Sequence, residues 1–153
     1  MFLSSYESGV DAKKRVSIPA SFRKALPGED SVFLWPSIDK PCLEGGGHEL
    51  VEKWRRAISR LKGRQRDAYS NLILGRGRLY KFDDGGRIVL ESDVLHHAGI
   101  TEKARFVGLG GSFEIWAPET HQARYDDLAA LALEVVEDVN PFDDGPDAGG
   151  GRA

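Results

Sequence analysis

The sequence has very little cysteine and no long apolar run. A single cysteine, Cys42, among 153 residues excludes an internal disulfide framework and a metal site built from several cysteines. No stretch of 18 consecutive apolar residues occurs, which argues against a membrane-spanning helix. The first residues lack the basic and long apolar segments of a secretory signal. We therefore expect a soluble, cytoplasmic protein.

The sequence also lacks the patterns that carry common catalytic chemistry. It contains no Gly-x-Ser-x-Gly motif, no His-Glu-x-x-His motif and no phosphate-binding glycine loop that ends in Lys-Ser/Thr. Two of its four histidines, His96 and His97, are adjacent and would point about 100° apart on a helix, so they do not chelate one metal together. We therefore expect neither an enzyme nor a protein that holds a metal or a cofactor.

Positive charge is not in excess overall, but it is unevenly distributed. The net charge is −3. Residues 126–153 contain eight acidic residues and one basic residue, whereas residues 1–125 contain 20 basic and 16 acidic residues. A basic body with an acidic tail can present a local positive surface to phosphate. The composition is therefore compatible with a nucleic-acid partner.

What the sequence does contain is one unit that occurs twice. The first copy reads Asp11-Ala-Lys-Lys-Arg-Val-Ser-Ile, and the second begins 72 residues later as Asp83-Asp-Gly-Gly-Arg-Ile-Val-Leu. Asp11 corresponds to Asp83, and Arg15 corresponds to Arg87. A sequence that repeats itself in this way predicts two copies of one structural unit.

Each copy predicts the same order of elements: strand, turn, strand, short helix, two strands and a longer helix. The alternation of polar and apolar residues from Arg15 to Ile18 is typical of a half-buried strand. The spacing of Leu50, Trp54 and Ile58 is that of a helix with one apolar face. A lone set of so few short strands would leave open edges. We therefore expect an α+β fold whose two repeats close a small β-barrel-like core flanked by helices.

The predicted boundaries follow from this order. The first repeat with its helix covers residues 1–63, a connecting helix and turn cover 64–78, and the second repeat with its helix covers 79–138. Residues 139–153 are rich in Gly, Asp and Pro and predict a disordered acidic tail. The run Gly45-Gly46-Gly47 predicts a flexible break in the chain before the first long helix.

The basic turn of the first repeat is the candidate functional feature. It contains Lys13, Lys14 and Arg15, and such turns are usually just solvated. Arginine recurs at the same position as Arg87, however, and the backbone of such a turn does not require it. A guanidinium offers a planar fork of donors that matches a phosphate or the O6/N7 edge of guanine. The acid that opens each turn is placed to hold that fork in position.

A second basic region lies on the first long helix, from Lys53 to Arg66. A charge run of this kind is usually a solvated helix face, and we favour that interpretation slightly. Attraction of phosphate and contact between subunits are the two functional alternatives.

These residues together resemble the MraZ family of transcriptional regulators. The resemblance covers residues 1–135 and rests on both copies of the turn motif and on the pieces that connect them. The turn motifs are Asp11-x-Lys13-x-Arg15-x-x-x-Pro19-x-x-x-Arg23 and Asp83-x-x-Gly86-Arg87-Ile88-x-Leu90. The connecting matches are Met1-Phe2, Pro41-Cys42-Leu43, Leu72-Ile-Leu-Gly75 and Phe113-Glu-Ile-Trp116.

The resemblance implies a specific architecture and function. It implies two tandem AbrB-like (swapped-hairpin) repeats and a ring-like homo-oligomer. It further implies a nucleoid-associated repressor that binds double-stranded DNA at G-rich direct repeats upstream of its own operon, the division and cell-wall gene cluster. The family's DNA-contacting residues carry over onto Lys13, Arg15 and Arg87, and we expect Lys14 and Arg23 to add contacts to phosphate because of their charge.

The chain departs from the family pattern at the turns. Lys14 stands where the family commonly has glycine, which either changes the backbone shape of the turn or adds a phosphate contact. The second turn offers only Arg87 where the first offers three cations, so we expect the first repeat to dominate DNA binding. An AbrB-like antitoxin that binds DNA and a protein toxin is the alternative function, although the second complete repeat argues against it.

Overall fold

The computed structural model describes residues 1–143 of the chain. Eight strands lie in this range: β1 Ser5–Gly9, β2 Arg15–Ser17, β3 Ser31–Pro36, β4 Leu43–Gly46, β5 Arg78–Lys81, β6 Arg87–Val89, β7 Lys103–Gly108 and β8 Phe113–Trp116. Five α-helices accompany them: α1 Ala20–Lys24, α2 His48–Ser59, α3 Gly63–Tyr69, α4 Ser92–Ala98 and α5 Pro118–Glu134. A π-helical turn at Ser70–Gly75 extends α3, and a 3-10 turn at Val136–Asp138 follows α5. None of the helices in this range has the length and apolar character needed to cross a membrane.

The strands form a six-stranded antiparallel sheet and a separate two-stranded ribbon. The order in the sheet is β1-β7-β8-β4-β3-β5, and the ribbon pairs β2 with β6. In the sheet and in the ribbon, strands of the first repeat pair with strands of the second. The pairs between repeats in the sheet are β1 with β7, β3 with β5 and β4 with β8. In the sheet, β1, β3 and β4 of the first repeat correspond to β5, β7 and β8 of the second. When each strand is replaced by its counterpart, the same order results, read from the other edge. The two repeats are therefore interleaved around a local two-fold axis.

The α+β class predicted from the sequence is confirmed, but the predicted barrel is wrong. Within the described residues, β1 and β5 are the two edges of an open sheet and do not pair with each other. The sheet does not need to close because the β2–β6 ribbon and the short helices cover one of its faces. Val16 and Ile88, at the centre of the ribbon, are each only 1% exposed. The AbrB-like assignment of the repeats stays a prediction.

The main core lies between the sheet and the ribbon. Phe22 of α1 is fully buried there and contacts Phe2, Phe106 and Phe113, with ring centroids 5.1–6.2 Å apart. Such aromatic pairs contribute about 0.5–1.5 kcal/mol each beyond the burial of their area. The short helix α1 thus supplies the central aromatic side chain of the main core.

A second core lies on the opposite face of the sheet. The apolar run of β3 serves both cores, because Val32 and Leu34 point into the main core while Phe33 and Trp35 point into the second. Side chains from α2 and from the π-helical turn close the second core over Phe33 and Trp35; the buried ones are Ile58 and Ile73. The connecting helix predicted within 64–78 consists of α3 followed by the π-helical turn, where the Arg76 N–H donates to the Asn71 carbonyl at 2.8 Å.

The glycine run is part of the ordered structure, so the predicted flexible break is wrong. Gly45 and Gly46 belong to β4, and Gly47 precedes the first residue of α2. A Cβ atom added at Gly45 would lie 2.8 Å from the Phe33 carbonyl oxygen and would collide with the Leu34 side chain. Glycine is needed here for the close approach of neighbouring strands, which composition alone does not distinguish from flexibility.

Two compact units divide the chain. Met1–His121 forms the first and contains the sheet, the ribbon and both cores. The second begins at Gln122 and, in its described part, holds the remainder of α5 and the 3-10 turn. The predicted disordered tail at 139–153 lies mostly outside the described residues. The repeat boundaries drawn from the sequence stay a prediction.

Replacing Gly45 by alanine is expected to destabilise the sheet. The added methyl group has no room between Phe33 and Leu34, so we expect the free energy of unfolding to fall by about 1–3 kcal/mol. Urea denaturation followed by circular dichroism measures this change. Gly111→Ala is the matched control, because nothing lies within 4 Å of a Cβ atom at Gly111. Equal stability of the two variants would contradict the packing role of Gly45.

Candidate nucleic-acid interface

The first turn is organised by the carboxylate of Asp11. Its Oδ1 accepts hydrogen bonds from the backbone N–H of Lys13 at 2.9 Å and of Arg15 at 2.8 Å. Its Oδ2 accepts one from Nε of Arg15 at 2.7 Å. The Asp11 carbonyl oxygen also accepts a bond from the Lys14 N–H at 3.0 Å. One aspartate thus fixes both the backbone of the turn and the arginine that follows it.

The second turn repeats this arrangement bond for bond. Oδ1 of Asp83 accepts from the N–H groups of Gly85 and Arg87, both at 2.9 Å. Oδ2 accepts from Nε of Arg87 at 3.0 Å, and the Asp83 carbonyl oxygen accepts from the Gly86 N–H at 3.0 Å. The alignment of Asp11 with Asp83 and Arg15 with Arg87 is therefore confirmed at the level of the backbone.

These hydrogen bonds keep both aspartates ionised. The backbone N–H of Arg15 makes the largest contribution to a pKa of Asp11 below its usual range, and the Arg15 side chain adds to it. The backbone N–H of Arg87 lowers the pKa of Asp83 in the same way. Each carboxylate consequently remains a charged acceptor for its arginine to a lower pH than an unpaired aspartate would.

Each of these arginines bonds its aspartate through only one of its three side-chain nitrogen atoms. Arg15 and Arg87 use Nε for the aspartate, and no group in residues 1–143 accepts a hydrogen bond from their Nη atoms. Their side chains are 31% and 38% exposed. Two Nη groups held in a plane can bind a guanine edge or a phosphate in a bidentate manner. The aspartate thus orients each arginine before any ligand arrives.

The antiparallel register places both arginines on one surface. Arg15 is opposite Val89, and Ser17 is opposite Arg87. Because alternate residues share a face, these four side chains form the outer surface of the ribbon, which we call the ribbon face. Arg15 and Arg87 are diagonal neighbours on it, with Cα atoms about 7–8 Å apart. The structure therefore brings together two arginines that are far apart in the sequence.

Lys14 keeps the backbone shape of the glycine that it replaces. Its φ is +62°, and the φ of its counterpart Gly86 is +76°, so both residues have left-handed conformations. Of the two alternatives drawn from the sequence, a change of turn shape is therefore wrong. Nζ of Lys14 donates to Oγ of Ser92 in α4 at 2.6 Å, a contact that the local sequence gave no reason to expect.

Arg23 lies at the second turn, although the sequence groups it with the first. Its Nε donates to the carbonyl oxygen of Ile18 at 3.3 Å. A Cβ atom added at Gly86 would come within 2.6–2.9 Å of three atoms of the Arg23 side chain, Cζ, Nε and Nη1. The guanidinium therefore rests directly on the backbone of the second turn, at the residue that precedes Arg87 in the sequence.

The basic face of α2 is separate from the ribbon face. Helix α2 packs through Ile58 onto the second core, on the opposite side of the sheet from the ribbon. Lys53 pairs with Glu49 at 3.5 Å, and Arg55 pairs with Glu52 at 3.0 Å. Pairs of this kind along one helix are typical of a solvated face.

A partly buried charged cluster on the central strands of the sheet was not predicted from the sequence. Glu44 and Glu114 are opposite each other on β4 and β8, and Nζ of Lys40 lies 3.4 Å from the Glu114 carboxylate. Trp116 donates from Nε1 to Glu114 at 2.9 Å. Burial opposes the charge of Lys40, but the neighbouring carboxylates outweigh it and raise the pKa of the ammonium group. The single ammonium of Lys40 therefore offsets part of the negative charge of the two facing glutamates.

The fold and the ribbon face define a class: a doubled-repeat α+β protein that displays two aspartate-held arginines on an exposed ribbon. Comparison with known proteins identifies the family. No family model matches the chain. The chain is 40% identical over 138 residues to the transcriptional regulator MraZ of Rickettsia canadensis (strain McKiel), and the match covers 88% of this chain and 93% of the relative.

Two further relatives give the same result. The chain is 43% identical over 138 residues to the transcriptional regulator MraZ of Rickettsia rickettsii (strain Sheila Smith), with 88% and 93% of the two chains covered. It is 42% identical over 130 residues to that of Hyphomonas neptunium (strain ATCC 15444), with 81% and 79% covered. The chain belongs to the MraZ family of transcriptional regulators, as the sequence resemblance predicted. Because the relatives are named as regulators, the expectation that the chain is not an enzyme is also confirmed.

The hydrogen bonds to Asp11 and Asp83 make a prediction about pH. A carboxyl group whose pKa is lower in the folded state stabilises the fold fully above its unfolded pKa, and this stabilisation is lost as pH falls through the folded value. An NMR titration of the two carboxyl carbons should therefore give midpoints below the unperturbed value of about 3.9. A peptide of residues 8–18 provides the unfolded reference for Asp11. A midpoint in the protein equal to that of the peptide would contradict the geometry.

Proposed function

We propose that this protein is a sequence-specific DNA-binding regulator of transcription that contacts DNA through the ribbon face. The observation that supports this proposal most strongly is the pair of outward-facing arginines, each held at Nε by an aspartate and each with its Nη groups free within the described residues. Membership of a family of transcriptional regulators supports it independently.

A two-stranded antiparallel ribbon is an element that fits this function. The major groove of B-DNA is about 12 Å wide and admits a two-stranded antiparallel ribbon. Arg15, held flat by Asp11, then presents two parallel donors to O6 and N7 of a guanine. Lys13 and Lys14 lie in the turn at the end of the ribbon, where the phosphates that border the groove are in reach. In this arrangement the lysines set the position of the protein and the arginines read the bases.

The finer proposal follows the family resemblance. The protein acts as a repressor at the nucleoid and binds G-rich direct repeats upstream of its own operon, the division and cell-wall gene cluster. One ribbon covers only a few base pairs, so a ring-like homo-oligomer supplies several ribbons to a row of repeats. Linked binding sites of this kind raise the affinity steeply without any new contact. Subunits arranged head to tail favour direct repeats, whereas a two-fold dimer favours palindromes.

Replacing Arg15 by alanine tests the base-reading role. We expect a loss of about 1–3 kcal/mol per guanine contact and a relaxed sequence preference, because the bidentate donor is removed. Gel-shift titrations with DNA from upstream of the protein's own gene, and with single-base variants of it, measure both effects. Arg15→Lys keeps the charge without the fork, so it should retain affinity better than it retains discrimination.

Arg55→Ala is the matched control for this experiment. Arg55 is also an exposed arginine held by a carboxylate, but it lies on the opposite side of the sheet from the ribbon face. Its removal should leave DNA binding unchanged. Equal behaviour of the Arg15 and Arg55 variants would refute the assignment of the ribbon face.

Replacing Lys14 by alanine tests the phosphate-contacting role. Binding to all sequences should weaken alike, and the slope of log K against log salt concentration should become shallower by about 0.9, the value for one lost phosphate contact. Lys14→Gly should give the same result, because glycine adopts the left-handed backbone without strain. An altered base preference at an unchanged salt slope would show that the division of roles is wrong.

A further inference from the structure

The second turn obtains a cation from the other repeat. Arg23 belongs to α1 of the first repeat, yet its guanidinium rests on Gly86 in the turn of the second. We infer that Arg23 contacts a DNA phosphate beside Arg87 and so completes the second turn as a DNA-binding element. This inference rests on the proposed function and names a contacting residue for the half of the ribbon that the sequence shows as poor in cations.

The two turns obtain a cation in different ways. The first turn carries its own cation at its left-handed position, Lys14, whereas the second has Gly86 there. The guanidinium of Arg23 occupies the space that a side chain at Gly86 would need. In the second repeat the counterpart of Arg23 is Leu95, which packs against the main core and leaves the first turn to Lys14. Each end of the ribbon therefore has one cation over its turn, from a different source.

The side chain of Arg23 also has hydrogen-bond donors left for an anionic ligand. Like Arg15 and Arg87, Arg23 is tied by Nε alone, in this case to the Ile18 carbonyl oxygen. No carboxylate pairs with Arg23, and no group accepts from its Nη atoms, within residues 1–143. Its guanidinium is therefore a cation without a counter-ion at the turn that precedes Arg87, within the described residues. An anionic ligand supplies that counter-ion, and a phosphate accepts the free Nη donors in a bidentate manner.

With this assignment, the two ends of the ribbon carry similar sets of cationic side chains. The strands of the ribbon are antiparallel, so the two turns lie at its opposite ends. Each end combines one aspartate-held arginine with at least one further cation, Lys14 at the first and Arg23 at the second. A ribbon that lies in a groove meets the phosphates of the two bordering strands at its two ends. The first repeat therefore contributes to both ends, rather than dominating binding through its own turn alone.

A double-mutant cycle tests this inference. The probe is a duplex selected from a random-sequence pool by the unmodified full-length protein, and the variants are Arg23→Ala, Arg87→Ala, Arg15→Ala and the two double variants that contain Arg23→Ala. Arg23→Ala should weaken binding and make the salt slope shallower by about 0.9. Its effect should depend on Arg87, with at least about threefold non-additivity, and should combine with that of Arg15→Ala additively within about twofold.

Two control variants distinguish a DNA contact by Arg23 from a purely structural role of this residue. Lys24→Ala removes the neighbouring exposed cation and should have no effect on the cycle. Arg23→Gln retains a polar side chain without the charge, and it replaces alanine if the alanine variant fails to fold by circular dichroism.

Three results would overturn the inference. The first is a salt slope unchanged by the loss of Arg23, which would leave it a structural prop of the turn. The second is additivity with Arg87, and the third is coupling to Arg15 instead. Each of these leaves the proposed function intact if the unmodified protein binds its selected duplex. Failure of the unmodified protein to select any duplex would overturn the proposed function and this inference with it.

Discussion

The antiparallel pairing of β2 with β6 is the interaction on which the ribbon face depends. Arg15 and Arg87 are 72 residues apart in the sequence, and this pairing alone makes them neighbours on one face. The inward face of the same ribbon supplies Val16 and Ile88 to the main core. A shift of one residue in the register would expose this apolar pair and bury the arginines. The stability of the core and the geometry of the candidate site are therefore set by the same register.

The local two-fold symmetry explains how a short repeat can build this surface. Each repeat alone provides only one ribbon strand, and a single strand has no partner for its backbone. Interleaving the repeats supplies the partner, and hydrogen bonds between the repeats close both ends of the ribbon. The Leu90 N–H donates to the Lys14 carbonyl oxygen at 2.9 Å, and the Ile18 N–H donates to the Gly86 carbonyl oxygen at 3.1 Å. The net charge of the chain, −3, does not determine the character of this surface, because its hydrogen-bond donors act at short range.

The sequence predicted the elements and the turns well, and it predicted their spatial arrangement less well. The repeat register identified Asp11, Arg15, Asp83 and Arg87 because the two turns follow the same local rules of hydrogen bonding. The barrel was wrong because the sequence shows that a few short strands need partners but not how the partners are arranged: the two repeats pair in one open sheet and a separate ribbon. The place of Arg23 was missed because it depends on a contact between the repeats, which no local pattern records. Whether the predicted residues contact DNA stays a prediction.

The central claim is that Arg15 and Arg87 meet DNA with their Nη groups while their aspartates continue to hold Nε. NMR of the arginine side chains during titration with the selected duplex tests it most directly. The Nη signals of both arginines should shift and gain protection from exchange, while their Nε–H signals stay protected throughout. Unchanged signals from these two arginines at saturation, with shifts confined to the arginines of α2, would contradict it.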